Sequence, residues 1–348
     1  MPGAGSSLAT RAVCRTILLD EVRFILGVRA VLAGRAYHGH MQIDAAIKTE
    51  GLTKRYGAKL AVDAVDLEIP RGVAFGYLGP NGAGKTTLIR MLLGLTRASS
   101  GRMWILGHQL PGERADALAK VGAIVEEPRF YPYLTGRENL RIAAAVRGPE
   151  AEARIADSIE RVGLAERAGD RVSGYSLGMR QRLGIARCLL NDPEVLILDE
   201  PMNGLDPAGI MEFRYLIRSF VEEGRTVILS SHLLDEVEKT CDAVAIVDKG
   251  RVVRQGSLDE FRGRDYAKVT VEVVEPDLAR RVLSGLDFVK NVEVLSPTEL
   301  LVSLETGVRG YQLNGALVSA GVGVERLEPA KATLEDEFLS VTSDMGIR

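Results

Sequence analysis

Cysteine, histidine and aromatic residues are scarce in this sequence. The three cysteines in 348 residues, Cys14, Cys188 and Cys241, are odd in number and widely scattered. They exclude a disulfide framework, fit a reducing compartment, and read as buried apolar thiols. The four histidines are scattered as well, so no zinc-ligand spacing exists. Aromatic residues make up 5% of the chain. Charge of one sign is also lacking. A net charge of −3 sets up no global field that would draw the chain to nucleic acid or an anionic membrane. No stretch approaches the ~20 consecutive apolar residues of a membrane helix, so work at a membrane would need its span from another chain. The length allows one or two domains with substantial cores.

Against that plain background one stretch stands out: Gly79-Pro80-Asn81-Gly82-Ala83-Gly84-Lys85-Thr86-Thr87. Glycine, four residues, then Gly-Lys-Thr is the phosphate-binding loop pattern. The apolar run 73–78 before it reads as a buried strand, and 87–93 after it as a helix. Chemistry needs that order. Glycines allow a tight turn whose successive N–H groups point inward at a polyphosphate. The helix N-terminus adds the positive end of its dipole. Lys85 is then placed for the β- and γ-phosphates, and the Thr86 hydroxyl for Mg²⁺.

Most of the chain beyond the loop supplies what such a loop requires. Residues 1–44 are the exception. Their apolar part, 17–32, is broken by Asp20, Glu21, Arg23 and Arg29, so the segment reads as a poorly ordered extension with no assigned function and no secretory signal. Met41 is a candidate start, since the recognisable pattern begins just after it. Strand-like runs are expected at 45–50 and 61–69, with Tyr56 between them. Strands are expected at 102–106 and 121–125, the latter followed by Glu126-Glu127-Pro128. A largely helical stretch should run from 135 to about 169, opened by the Thr135-x-x-Glu138 spacing of a capping box. A further helix should run from Ser176 to 190. Next comes Val195-Leu196-Ile197-Leu198-Asp199-Glu200, four apolar residues that read as a central parallel strand with two acids at its exit. That edge is the ligand crevice of open α/β sheets. Asp199 is placed to hold Mg²⁺ through water, and Glu200 to orient or deprotonate an attacking water. After a helix (207–222) and a buried strand (226–230), His232 sits beside the same crevice. A strand, a Lys249-Gly250 turn and another strand complete this part of the chain, from 243 to 255.

These motifs, in this order, resemble the ATP-binding cassette (ABC) ATPases over about residues 47–261. The resemblance identifies 79–87 and the strand ending in Asp199-Glu200 as Walker A and Walker B motifs. It implies that Tyr56 stacks on adenine and that His232 is the switch histidine. Tyr175-Ser176-Leu177-Gly178-Met179-Arg180-Gln181-Arg182 resembles the signature motif, and Met202-Asn203-Gly204-Leu205-Asp206-Pro207 the loop that couples two cassettes. Two departures stand out. Leu177 and Met179 replace a glycine and a glutamine of the usual signature, although Ser176 and Gly178 keep its hydroxyl and bare backbone at a helix N-terminus. Glu126 stands at the glutamine-loop position, where a carboxylate accepts hydrogen bonds but cannot donate as an amide does. It retains the chemistry to coordinate Mg²⁺ or water. Both departures are similar to those of exporters that handle drugs, antibiotics or bacteriocin-like peptides.

From about residue 263 the pattern changes to strand, helix, strand, strand, helix, strand, which suggests a small ferredoxin-like α+β module. A last amphipathic helix is expected at 334–341. From Arg264 to Arg348 nine basic residues face fourteen acidic ones, which opposes nucleic-acid binding. The expected fold is therefore α/β. A P-loop NTPase cassette occupies 45–262, with an antiparallel β subdomain and a helical subdomain at about 127–190, and an accessory α+β domain occupies 263–348. The expected activity is ATP hydrolysis with ATP and Mg²⁺, powering export through a separate membrane permease. The expected partners are that permease and a second cassette, as a homodimer, at the cytoplasmic face of the cell membrane. The alternatives are a soluble non-transport ABC ATPase, an importer ATPase, and a regulatory module that binds nucleotide without hydrolysis. The intact Lys85, Asp199 and Glu200 argue against the last of these.

Overall fold

The computed structural model describes residues 45–261, 267–305 and 307–330. The extension 1–44, with Cys14, and the helix expected at 334–341 lie outside the described residues. The chain divides into two compact units between Ser257 and Leu258.

The first unit is built on two sheets. The larger contains β3 (Ala74–Leu78), β6 (Val121–Ile124), β7 (Val195–Asp199), β8 (Thr226–Ser231), β9 (Ala243–Asp248) and β10 (Arg251–Ser257). Its order is β10-β9-β3-β8-β7-β6. All pairings are parallel except the edge strand β10. Every residue of β3, β7 and β8 is buried. Continuous apolar runs become central parallel strands because helices cover both faces of such a sheet.

The smaller sheet is antiparallel, in the order β2-β1-β4-β5. It is formed by β1 (Ala45–Tyr56), β2 (Lys59–Pro70), β4 (Ser100–Ile105) and β5 (His108–Leu110). Helix α1 (Lys85–Leu92) shares one apolar core with both sheets. Leu88, Ile89, Met91 and Leu92 pack among Ile47, Ile69 and Met103 of the small sheet and Phe75, Tyr77, Val195 and Ile228 of the large one. Each such side chain contributes about 1.5–3 kcal/mol on burial. The helix that carries Lys85 is thereby fixed from two sides.

The segment between β6 and β7 is helical. The short α2 (Arg114–Ala119) precedes β6, and the segment after β6 opens with helix α3 (Gly136–Ala145). Its capping box is present: Glu138 N–H donates to Thr135 Oγ1, and the Glu138 carboxylate accepts from Thr135 N–H at 2.8 Å. The Thr135 N–H and hydroxyl hold that carboxyl below its ordinary range. The helical stretch expected over 135–169 is not continuous. Gly148 adopts φ 100° and Pro149 starts a new helix, so α4 (Pro149–Ala153) is separate from α3, and α5 (Ile155–Arg161) follows after Arg154. Helix α6 (Leu177–Leu189) is capped by Ser176, whose Oγ accepts from Met179 N–H at 3.2 Å. Helices α7 (Pro207–Glu222) and α8 (Leu234–Thr240) complete this unit. Elements β5, α2 and α8 were not expected from the sequence; at three to seven residues they are too short to show a period.

The second unit contains β11 (Ala267–Val273), α10 (Pro276–Ser284), β12 (Val289–Val294), β13 (Glu299–Leu304), α11 (Gly310–Ser319) and β14 (Val324–Ala330), preceded by a single helical turn, α9 (Leu258–Phe261). The sheet is antiparallel throughout, in the order β12-β13-β11-β14. This is the ferredoxin-like arrangement that the alternation of elements suggested. Val269, Val271, Leu300, Val302 and Leu304 pack against Ala279, Leu283, Leu313 and Leu317 of the two helices. Elsewhere on the sheet Arg326 pairs with Glu272 at 3.4 Å and Glu299 at 3.0 Å.

Candidate nucleotide site

Strand register brings the site together. Leu78 pairs with Ser231, and Asp199 with Ser230, so β3, β8 and β7 end side by side. The segments that leave this edge carry Gly79, Glu200 and His232. Ile124 of β6 pairs with Leu198, which puts the exit of β6, with Glu126 just beyond, on the same edge.

The loop of residues 79–84 has the backbone the pattern demands. Gly82 and Gly84 adopt φ 85° and 102°, a region L side chains rarely occupy. Space is equally restrictive. A Cβ on Gly84 would lie 2.2 Å from Ala61 O, and one on Gly79 2.4 Å from Val247 O. The loop is therefore wedged between β2 and β9. Gly250 N–H donates to Ala83 O at 3.0 Å, and Asp63 N–H donates to Gly250 O at 2.8 Å, so the Lys249-Gly250 turn ties loop and β2 together. Gly84 leads directly into α1, which begins at Lys85, two residues before the sequence expectation. Thr86 and Thr87 come next, in its first turn.

Lys85 is 6% exposed. Its ammonium donates to Gly79 O at 2.6 Å and Pro80 O at 3.3 Å, and pairs with Glu200 Oε1 at 3.1 Å. The other oxygen of Glu200 lies 2.9 Å from His232 Nδ1. An ionised carboxylate only accepts, so Nδ1 carries the proton. Asp199 is 4% exposed, and Ser230 Oγ donates to its Oδ1 at 2.6 Å. The same Ser230 Oγ accepts from Glu200 N–H at 2.9 Å. Glu200 has φ 47°, a left-handed conformation costing about 1–2 kcal/mol. Lys85, Glu200, His232 and Asp199 are thus linked through direct contacts and one serine.

Other candidates stand apart from this group. Tyr56 ends β1, is 47% exposed, and lies beneath Lys54 Nζ at 4.8 Å. Glu126 adopts φ 62°, and its carboxylate pairs with Arg90 of α1 at 2.5 Å. Among the described residues it contacts neither Lys85 nor Asp199. Ser176 and Gly178 lie at the N-terminus of α6 and make no hydrogen bond to the Lys85 group.

Sequence reasoning assigned no role to four further residues. Ser230 positions both strand-exit acids; a Ser-Ser pair ending an apolar strand was the available signal. Arg90 is the partner of Glu126. Glu127 pairs with Arg180 of α6 at 3.1 Å, and Pro128 lies against Gly184 of the same helix. Cys188 and Cys241 are buried free thiols, as expected. Burial pushes the Cys188 thiol up to about 11.

The donor set fits Mg²⁺. Among the described residues no cluster of three or more His, Cys, Asp or Glu could hold a metal unaided. Mg²⁺ takes one or two protein oxygens and completes its shell with phosphates and water. The Asp199 carboxylate and the Thr86 hydroxyl are hard oxygen donors of that kind.

Comparison with known proteins agrees with this geometry. The family described as ABC transporter matches residues 62–203. The uncharacterized ABC transporter ATP-binding protein YdbJ of Bacillus subtilis (strain 168) is 42% identical over 84% of this chain and 94% of its own. The bacitracin transport ATP-binding protein BcrA of Bacillus licheniformis is 40% identical over 85% and 96%. Among solved structures, cbiO1 of Clostridium perfringens, part of the ABC transporter complex cbiONQ, matches at 28% identity. Its TM-score is 0.58, over 70% of this chain and 96% of that one. With the motifs gathered at one sheet edge and relatives of this identity spanning most of its length, the chain belongs to the ATP-binding proteins of ABC transporters and is an ATPase.

Proposed function

We propose that this chain powers export of a drug, antibiotic or peptide through a separate membrane permease, by closing with a second copy of itself on two ATP molecules. The observation that carries the reading is the Lys85–Glu200–His232 chain of contacts directly behind the phosphate loop. A triphosphate cradled by the loop amides puts its γ-phosphate against the Lys85 ammonium. It then competes with Glu200 for that cation. The carboxylate, released from Lys85 but still held by His232, becomes free to accept a proton from water. The Thr86 hydroxyl and, through water, the Asp199 carboxylate would hold Mg²⁺, which would supply charge neutralisation at the phosphates. Tyr56, at the end of the β1–β2 hairpin docked against Gly84, offers a ring face for adenine.

Ser176 and Gly178 support the two-cassette arrangement. They present a hydroxyl and a bare backbone at the N-terminus of a 13-residue helix, a natural site for phosphate. They lie outside this chain's own Lys85 group, so the phosphate they meet belongs to a second cassette. Among the described residues no helix is long and apolar enough to cross a membrane. In this reading the permease supplies the membrane span, with the cassette at its cytoplasmic side. The name of the relative BcrA, a bacitracin transport protein, supports export of a comparable compound.

Two measurements test this. Co-expressed with a polytopic membrane protein encoded beside it, the chain should co-purify, and the complex should hydrolyse ATP. A neighbouring gene for a ribosomal or repair factor, with no such complex, would reject export. The role of Glu126 is tested separately. If it reaches the metal's shell from its place beyond β6, Glu126→Gln should raise the Mg²⁺ concentration for half-maximal turnover about tenfold. Superimposable Mg²⁺ curves would remove Glu126 from that shell.

A further inference from the structure

Two leucines and two glycines interlock where the start of α6 meets the loop before α7. A Cβ built on Gly204 would lie 2.7 Å from Leu177 Cδ2. One built on Gly178 would lie 3.5 Å from Leu205 Cδ2. Each leucine thus covers the other segment's glycine, and both are half-buried. Leu177 is the first residue of α6, directly after the Ser176 cap. Leu205 directly precedes Asp206, which caps α7 by accepting from Gly209 N–H at 2.9 Å. The loop between is also tied back to the site. Asn203 N–H donates to Glu200 O at 3.2 Å, and Leu205 N–H donates to Met202 O at 3.3 Å, with Met202 buried. A continuous run of contacts therefore joins the Ser176 cap to the backbone of Glu200.

We propose that Leu177 is a positioning residue that locks the signature turn to the loop 202–206 of its own chain, so that phosphate captured at Ser176 shifts Glu200 at the other ATP site. The proposal rests on the reading that Ser176 meets the nucleotide of a second cassette. Glu200 is held in a left-handed conformation by Ser230 and Asn203, so a small displacement of the loop changes how its carboxylate is presented. Without a side chain at 177 the loop would rest on α6 only through Leu205. With it, the two segments move as one, and each ATP in the dimer biases hydrolysis of the other.

The test is cooperativity in the full-length protein. Wild type should hydrolyse ATP with a Hill coefficient above 1, bounded by 2 for two sites. Leu177→Ala preserves a good helix former at that position. It should lower the coefficient to about 1 with little change in melting temperature. Leu205→Ala should do the same, and the double variant should lose no more than either single one. Leu177→Met, which conserves volume, should restore cooperativity. A coefficient of 1 in wild type, or unchanged cooperativity in Leu177→Ala, overturns the lock. Dimerisation of Glu200→Gln protein with ATP separates the two levels. No dimer rejects the two-cassette reading and the lock with it. A dimer whose Leu177→Ala counterpart stays cooperative rejects the lock alone.

Discussion

Glu200→Gln should bind ATP and turn it over at least ~100-fold more slowly than the wild type. The substitution retains the size of the side chain and changes two interactions. An amide cannot take a proton from water at neutral pH, so the base is lost. It also carries no charge, so its hold on the Lys85 ammonium at 3.1 Å is weakened. The second change frees Lys85 for phosphate, and affinity for ATP should therefore be equal to or tighter than that of the wild type. Loss of kcat with retained or improved binding is the signature of a group that acts in the transition state. Turnover measured beside nucleotide titration checks both halves. Wild-type turnover would refute the base assignment. Weak binding would mean that Glu200 acts mainly by shaping the loop. His232 provides an internal control. Its Nδ1 donates to Glu200, so His232→Ala should slow turnover without the gain in affinity.

The backbone of the candidate nucleotide site was legible where one residue type is the only solution. Gly79, Gly82 and Gly84 were readable because positive φ or a backbone oxygen 2.2–2.4 Å from a would-be Cβ admits nothing else. The buried strands β3, β7 and β8 were readable because a double-sided core demands apolar runs. The α+β alternation of the second unit was readable because its strands and helices are regular and of ordinary length. Partners, by contrast, were not legible. That Ser230 ties Asp199 to Glu200 follows from the pairing of β7 with β8, a register no local pattern encodes. The pairing of Glu126 with Arg90 joins residues 36 apart, on two elements whose apposition only the fold creates. Glu126 and Glu200 both adopt left-handed conformations just past strand ends. Such backbone is unfavourable for a glutamate and is imposed by surrounding contacts, so propensity points away from it. The Leu177–Gly204 contact belongs to the same class. From the sequence Leu177 is a departure from the signature pattern; in the fold it is one half of a packed pair.

Lys85→Ala should lower ATP affinity by about 100- to 1000-fold, equivalent to ~3–4 kcal/mol for loss of a buried charged partner. The ammonium is the one side-chain cation joined to both the phosphate loop and Glu200 among the described residues. Its removal does more than delete an attraction. Glu200 then faces the triphosphate without an intervening cation, and like charges repel across the same few ångströms. The orphaned carboxylate also strains the free protein. Breaking a buried pair costs about 3–5 kcal/mol, less here because Glu200 keeps His232 and partial access to water. A fall in Tm of roughly 5 °C is expected on that account. The double variant Lys85→Ala/Glu200→Gln separates these effects. With no charge left unpaired, it should recover most of the lost Tm, yet its affinity for ATP should remain far below that of the wild type. Recovery of binding together with stability would mean that Lys85 serves only to neutralise Glu200. Continued weak binding in a protein of restored stability places the lysine on the phosphates themselves.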